Sequence, residues 1–200
     1  MIPADNQLID GGGVGEVYAY GFRNPYRFSF DITSEETRLF VVDVGQAMME
    51  EVNLVVAGGN YGWPIREGTS CFNSQRWSQP LEQCSTQGLS EPILAYPHQD
   101  DLSAVIGGVV YRGTSIPELN GSYIFGDWGR GNGHVFAAYP PTSDSGDWDF
   151  MEIQVETANE SGVGQLLGIG QDKTGELYLL TKDPGVGPVG DSGKLYKIVP

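Results

Sequence analysis

Arg23-Asn24-Pro25 lies between two apolar runs, and its residue types suit ligand binding. Proline disfavours the helical region for the residue before it, so Asn24 is placed on a tight extended turn. There a guanidinium presents a planar fork of donors to a carboxylate. The same residues also read as an arginine ion-paired to an acidic surface beside an ordinary Asn-Pro turn. A second cluster follows at Asp43-Val-Gly-Gln46 and Glu50-Glu51. Hard cations such as Ca²⁺ take about six to eight oxygens from carboxylates and backbone carbonyls, and a glycine turn beside acids offers both. No continuous EF-hand loop is present, so a calcium site here would be assembled from separate pieces. The alternative is solvated acids in a chain with 26 of them. His98 and His134 are the only histidines, and the lack of a His-x-x-x-His pair or a third nitrogen ligand argues against a catalytic zinc site. His98, between Tyr96-Pro97 and Gln99-Asp100-Asp101, is expected to be an exposed turn histidine, and His134 to be structural. Nucleophile elbow, phosphate loop and dinucleotide fingerprint are all absent.

Cys71 and Cys84 lie thirteen positions apart in a Gly/Ser/Gln-rich stretch without Cys-x-x-Cys spacing. They read either as a bridge, which loop entropy would make worth roughly 3 kcal/mol, or as two free thiols. A bridge implies an oxidising compartment. No basic and apolar leader precedes the polar opening residues. Together these predict a natural start further upstream and a periplasmic or secreted protein. The formal charge of −15, from 11 Lys+Arg against 26 Asp+Glu, argues against nucleic-acid and anionic-lipid binding. No apolar run reaches the length of a membrane span.

The elements that must position these residues are strands. Helical periodicity is almost absent, and short apolar or alternating runs bounded by Gly, Asp, Asn and Pro dominate. They fall at 16–20, 27–31, 38–43, 51–56, 105–112, 122–127, 134–139, 151–155, 166–171, 176–181 and 194–199. A unit recurs within them: a strand, a Gly or polar turn, then an apolar strand. Its copies are Arg27–Asp31 with Arg38–Asp43, Val109–Gly113 with Gly121–Asp127, and Gly168–Asp172 with Gly175–Thr181. Repeated hairpins of this kind are the inner half of a propeller blade. An all-β propeller of three to four blades across residues 1–200 is therefore expected, with a two-sheet sandwich as the rival. Residues 58–97 read as one irregular, cysteine-containing loop, and 140–149 as an exposed connection.

Several ordered segments carry a family resemblance. They are Glu16–Asp31 with its Arg-Asn-Pro, Phe40–Gln46, Glu50–Asn53, Gly58-Gly-Asn-Tyr-Gly-Trp-Pro64, Gly107–Gly113, Gly121–Asp127 and Gly193–Ile198. In this order they resemble the soluble glucose/sorbosone dehydrogenases, with further similarity to hedgehog-interacting-protein-like propellers that extends to the Cys71/Cys84 loop. The resemblance implies a six-bladed propeller, of which this chain is the C-terminal half or slightly more. It implies oxidation of a sugar C1 hydroxyl, with pyrroloquinoline quinone (PQQ) as hydride acceptor and Ca²⁺ as Lewis acid. Arg23 would be catalytic, with Arg23, Asn24 and Arg130 at the cofactor. Gly45 and Gln46 would give carbonyls to the cofactor calcium, and Glu51 and the Tyr61 backbone would lie near a second, structural one. The chain departs from the family pattern where Gln165 and Leu167 stand for two cofactor-binding arginines and Gln46 for a proline, and neither histidine matches the catalytic one. Lack of turnover by these 200 residues alone is expected, as is self-association through exposed blade faces. The alternative function is a non-catalytic, calcium-stabilised propeller that binds a glycan or protein.

Overall fold

Alternation of large apolar residues with small or polar ones, broken by glycine turns, produces antiparallel sheets and almost nothing else. The computed structural model describes residues 13–99, 102–142, 148–157, 162–185 and 191–200. Its strands are β1 (Pro25–Ile32), β2 (Thr37–Asp43), β3 (Met49–Val55), β4 (Arg66–Glu67), β5 (Ser70–Cys71), β6 (Leu94–Pro97), β7 (Val105–Val110), β8 (Tyr123–Asp127), β9 (His134–Tyr139), β10 (Asp149–Ile153), β11 (Gln165–Gln171), β12 (Leu177–Lys182) and β13 (Lys194–Lys197). Three antiparallel sheets result, ordered β1-β2-β3-β6, β7-β8-β9-β10 and β11-β12-β13, with β4-β5 as a small separate ladder. Each large sheet is one blade. The first strands of the blades, β1, β7 and β11, pack side by side as the inner wall. The chain is thus three blades of a β-propeller.

Blades are held face to face by two apolar cores. Phe40, Val42, Val52 and Tyr96 of blade 1 meet Val105, Tyr123, Phe125 and Phe136 of blade 2, with Phe40 and Tyr123 stacked at 4.6 Å. The opposite face of blade 2, with Tyr111, Ile124 and Val135, meets Leu166, Ile169, Leu177 and Leu179 of blade 3.

A carboxylate fixes the entry of the first strand in two blades. Asp43, at the end of β2, accepts from the backbone N–H groups of Arg23 (2.8 Å) and Asn24 (2.6 Å). Asp127, at the end of β8, accepts from Ser103 (2.9 Å), Ala104 and Gly129. The register puts Lys182 at the corresponding place in blade 3, so that blade lacks the clamp.

Two expectations need correction. Residues 16–20 do not form a strand; they make one parallel bridge, Tyr20 to Asn60. Their partner is the glycine-rich 58–63 turn, which offers single hydrogen bonds rather than a ladder, as in Gly58 N–H to Tyr18 O and Tyr61 N–H to Tyr20 O. The 58–97 segment is not wholly irregular, because it contains β4 and β5 and ends in β6, the outer strand of blade 1. Cys71 and Cys84 form a disulfide. Much of 140–149 lies outside the described residues.

Candidate functional site

The ends of β2 and β8 and the starts of β1, β7 and β11 lie at one end of the blades, where the loops carrying the sequence motifs converge. A cavity of about 250 Å³ opens there, walled by Asn24, Tyr26, Val44, Trp128, Leu167 and residues 104–106. All three blades contribute to it.

Arg23 stands beside this mouth with its guanidinium anchored: Nη1 donates to the Val44 carbonyl (2.7 Å) and Nε to Gln46 Oε1 (2.9 Å). Its charge also sits 5.9 Å from the centre of the Trp63 ring, within cation–π range. Arg23, Asn24, Val44 and Gln46 are therefore one unit, built on the Asp43 clamp. Burial raises the Asp43 carboxyl above its usual range, and the two N–H donors of Arg23 and Asn24 oppose that rise.

The 45–49 turn is held from below by Glu67. One oxygen of this buried carboxylate accepts from the N–H groups of Ala47 (2.8 Å), Met48 (2.6 Å) and Met49 (3.1 Å). Gly45 permits the approach: a Cβ there would lie 1.8 Å from the Met49 carbonyl and 2.7 Å from Glu67 Oε1. Glu67, Asp43, Glu51, Arg23 and Arg66 surround a second cavity of about 10 Å³, room for about one water-sized occupant. Glu67 Oε2 is buried there and has no hydrogen-bond partner among the described residues. Glu51 is enclosed too, and burial pushes its carboxyl up to about 7 despite the Asn53 amide at 3.0 Å.

The predicted residues are thus partly brought together. Arg23, Asn24, Gly45, Gln46 and Glu51 cluster within a few side chains of one another. Tyr61 lies apart, stacked on Phe22 at 4.7 Å and packed with Val41 and Val55, and it does not wall either cavity. Arg130 is exposed and is not among the residues around the mouth. Gln165 is buried and donates to the carbonyls of Gly129 (3.4 Å) and Arg130 (3.1 Å), bracing the turn behind Trp128. Leu167 faces the mouth itself. His98 is half-buried rather than exposed, because its Nε2 pairs with the fully buried Glu50 carboxylate. That hydrogen bond holds the His98 pKa above its ordinary value. His134 pairs with Glu152 at 2.7 Å, and neither histidine lines the mouth.

Glu67, Trp128 and Tyr26 were not legible as site residues. Only the Gly-Asp-Trp sequence beside Arg130 could have flagged Trp128. Among the described residues no group of three or more His, Cys, Asp or Glu is arranged to hold a metal. The buried, unpartnered Glu67 Oε2, under the turn that carries Gly45 and Gln46, is an oxygen of the kind a small hard cation takes.

A family profile described as glucose/sorbosone dehydrogenase matches residues 1–185. The chain is 31% identical over 203 residues to the HIPL1 protein of Arabidopsis thaliana, covering 91% of this chain and 28% of that protein. It superposes on a crystal structure of glucose dehydrogenase with a TM-score of 0.69 at 23% identity, covering 98% of this chain and 51% of the other. The PQQ-bound aldose sugar dehydrogenase of Streptomyces coelicolor gives a TM-score of 0.64 at 21% identity, over 98% of this chain and 48% of that one. The chain therefore spans about half the length of these solved relatives. No helix among the described residues is long and apolar enough to cross a membrane.

Proposed function

The chain belongs to the glucose/sorbosone dehydrogenase family, and from that premise we propose that it forms one wall of a quinoprotein sugar-oxidising site. The observation that carries this reading is the anchored Arg23–Gln46 unit, ordered by Asp43 and Glu67 at the mouth of the blades. Arg23 and Asn24 would hold PQQ, the carbonyls of Gly45 and Gln46 would hold its Ca²⁺, and Glu51 with the Tyr61 backbone would serve a structural Ca²⁺. When bound, the quinone accepts hydride from the sugar C1 carbon while calcium polarises it.

The chain's own residues bind, orient and exclude water. The Arg23 guanidinium cannot swing while Val44 and Gln46 hold two of its donors, so its charge is aimed before ligand arrives. Trp128 offers a flat ring face for a planar or sugar ligand. Tyr26 and Leu167 keep the wall apolar, which strengthens the electrostatics beside it. Both histidines are engaged in carboxylate pairs away from the mouth, so neither serves as a base there, and these 200 residues should not turn over alone. The disulfide supports a periplasmic or secreted location.

A second reading rests on Gln165 and Leu167. An anionic tricarboxylate needs cations. One of these side chains braces a turn and the other is apolar, which favours a non-catalytic propeller that binds a glycan or protein.

Titrating the protein with PQQ and Ca²⁺ while following tryptophan fluorescence tests the first reading. Calcium-dependent quenching at micromolar quinone is expected, at least ten-fold weaker in Arg23→Ala, with no dye reduction by aldoses. Absence of quinone binding moves the assignment to the second reading, and turnover by these 200 residues refutes the expected inactivity.

A further inference from the structure

At the end of blade 2 away from the mouth, residues 111–122 join β7 to β8 and contain Asn120-Gly121-Ser122. Asn-x-Ser with a residue other than proline in the middle is the acceptor sequence for an N-linked glycan. Such triplets arise by chance, so what decides is where the asparagine stands. A second triplet, Asn159-Glu160-Ser161, lies outside the described residues.

Asn120 follows a single 3-10 turn, Pro117–Leu119, and leaves it in extended backbone with φ −60° and ψ 123°. Gly121 comes next at φ +88°, and the Ser122 N–H donates to the Leu119 carbonyl at 3.0 Å. These are the marks of a type II β-turn, whose second central position calls for glycine. Asn120 is the first central residue of that turn and is exposed, as are Thr114, Ser115, Pro117 and Glu118 near it. The flanking Leu119 and Ser122 are buried, and Ser122 Oγ donates to the Leu119 carbonyl at 2.6 Å, so the corner is held from beneath. Asn120 Nδ2 donates to the Gly113 carbonyl at 3.3 Å. An N-linked amide keeps one hydrogen, so this contact is compatible with a sugar on the same nitrogen. Asn120 belongs to neither blade–blade core and walls neither cavity at the mouth.

We propose that Asn120 is a glycosylation site and carries an N-linked oligosaccharide. The Asn120 amide nitrogen bonds to the anomeric carbon of a lipid-linked oligosaccharide. The bond from that carbon to the lipid pyrophosphate breaks, the nitrogen gives up one proton, and nothing is oxidised or reduced. The Cys71–Cys84 disulfide supports the setting independently, because disulfides form in oxidising secretory compartments such as the endoplasmic reticulum, where glycans of this kind are attached. The site thus shares the secreted location proposed above and is independent of the sugar-oxidising reading. Its glycan stands on the solvent side of the β7–β8 connection, at the opposite end of blade 2 from Trp128, and leaves the mouth open.

Secretion of the chain from yeast behind a cleavable leader, followed by tryptic mass mapping, tests the proposal. Cleavage after Arg112 and Arg130 isolates Asn120 in the fragment 113–130, while Asn159 falls in the fragment that ends at Lys173. The 113–130 fragment should be heavier than its sequence by a glycan. Peptide N-glycosidase should remove that excess and leave an aspartate in place of the asparagine. Asn120→Gln, which keeps an amide at an exposed position, should lose the modification with an unchanged circular dichroism spectrum. A 113–130 fragment at its bare sequence mass in the secreted protein overturns the proposal, as does a modification of that fragment that persists in Asn120→Gln. A free-thiol count on the same material separates this from the location: a bare fragment with no free thiol removes the glycan and leaves the oxidising compartment standing.

Discussion

Glu67 shows how much of the site hangs on a residue with no motif around it. Its carboxylate gathers three successive N–H groups of the turn that carries Gly45 and Gln46. Hydrogen bonds to a charged group are worth more than neutral ones, and buried donors left unmade are costly. Glu67→Ala should therefore cost about 3 kcal/mol, and Glu67→Gln, which keeps an acceptor, about 1 kcal/mol. Urea unfolding of both variants measures this, and equal losses would show that the acceptor is not what matters. Asp31 makes a different case. Burial alone would raise its carboxyl, but Arg112 (3.0 and 2.8 Å) and Arg38 (2.7 Å) outweigh that and hold it below 3.8. A carboxyl depressed in the folded state adds stability that is present above its unfolded value and lost as pH falls through the folded one. The loss in wild type should therefore fall below pH 3.8, and Asp31→Asn should lack it while being weaker by about 2 kcal/mol at pH 6. That figure is modest because Arg112 is partly exposed. A variant whose acid unfolding matches wild type would reject the assignment. Arg23 with Asn24, and Gly45 with Gln46 and Glu51, were legible as two short segments of suggestive residue types, whereas their meeting across 21 positions was not. Glu67 and Trp128 reach the site from distant strands, and no local pattern announces that.

At the scale of elements, period-two alternation located the blade strands well where both ladder partners are long. It failed where the partner is not a strand. Tyr18 and Tyr20 alternate like strand residues, yet they dock on the 58–61 turn. It missed Leu94–Pro97, a four-residue strand that follows Pro92 closely and ends in Pro97, because only pairing with β3 makes it extended. Between β5 and β6 the chain has little ladder of its own beyond a single bridge from Cys71 to Leu81, so the Cys71–Cys84 link is its principal tie. Closing a loop with ends 13 positions apart restricts the unfolded chain by roughly 3 kcal/mol. Reduction should lower the unfolding free energy by about that amount and open residues 72–83 to proteolysis, with the mouth residues still protected. Equal stability with and without reductant would show that the loop is held by its packing, through Trp63 on Phe72 (4.4 Å), rather than by the bridge.

Stacked blades contact only their neighbours, so the whole molecule should behave as a short one-dimensional array. Blade 2 is covered on both sides, and all five residues of β8 are buried. Blade 3 has one buried face, three strands and Lys182 where the other blades place their clamping aspartate, and every other residue of β13 is exposed. Local opening follows such differences in burial and hydrogen bonding. Amide exchange should therefore be slowest in β8 and β9, intermediate in β2 and β3, and fastest in β13. The ranking bears on the mouth, because the wall carrying Leu167 hangs from the least protected blade while Arg23 and Trp128 hang from the better protected ones. A ligand bridging all three walls would slow exchange in β11 far more than in β8. Exchange that is uniform across the three blades would refute this picture, since it would mean that the blades open as one cooperative unit despite their unequal cover.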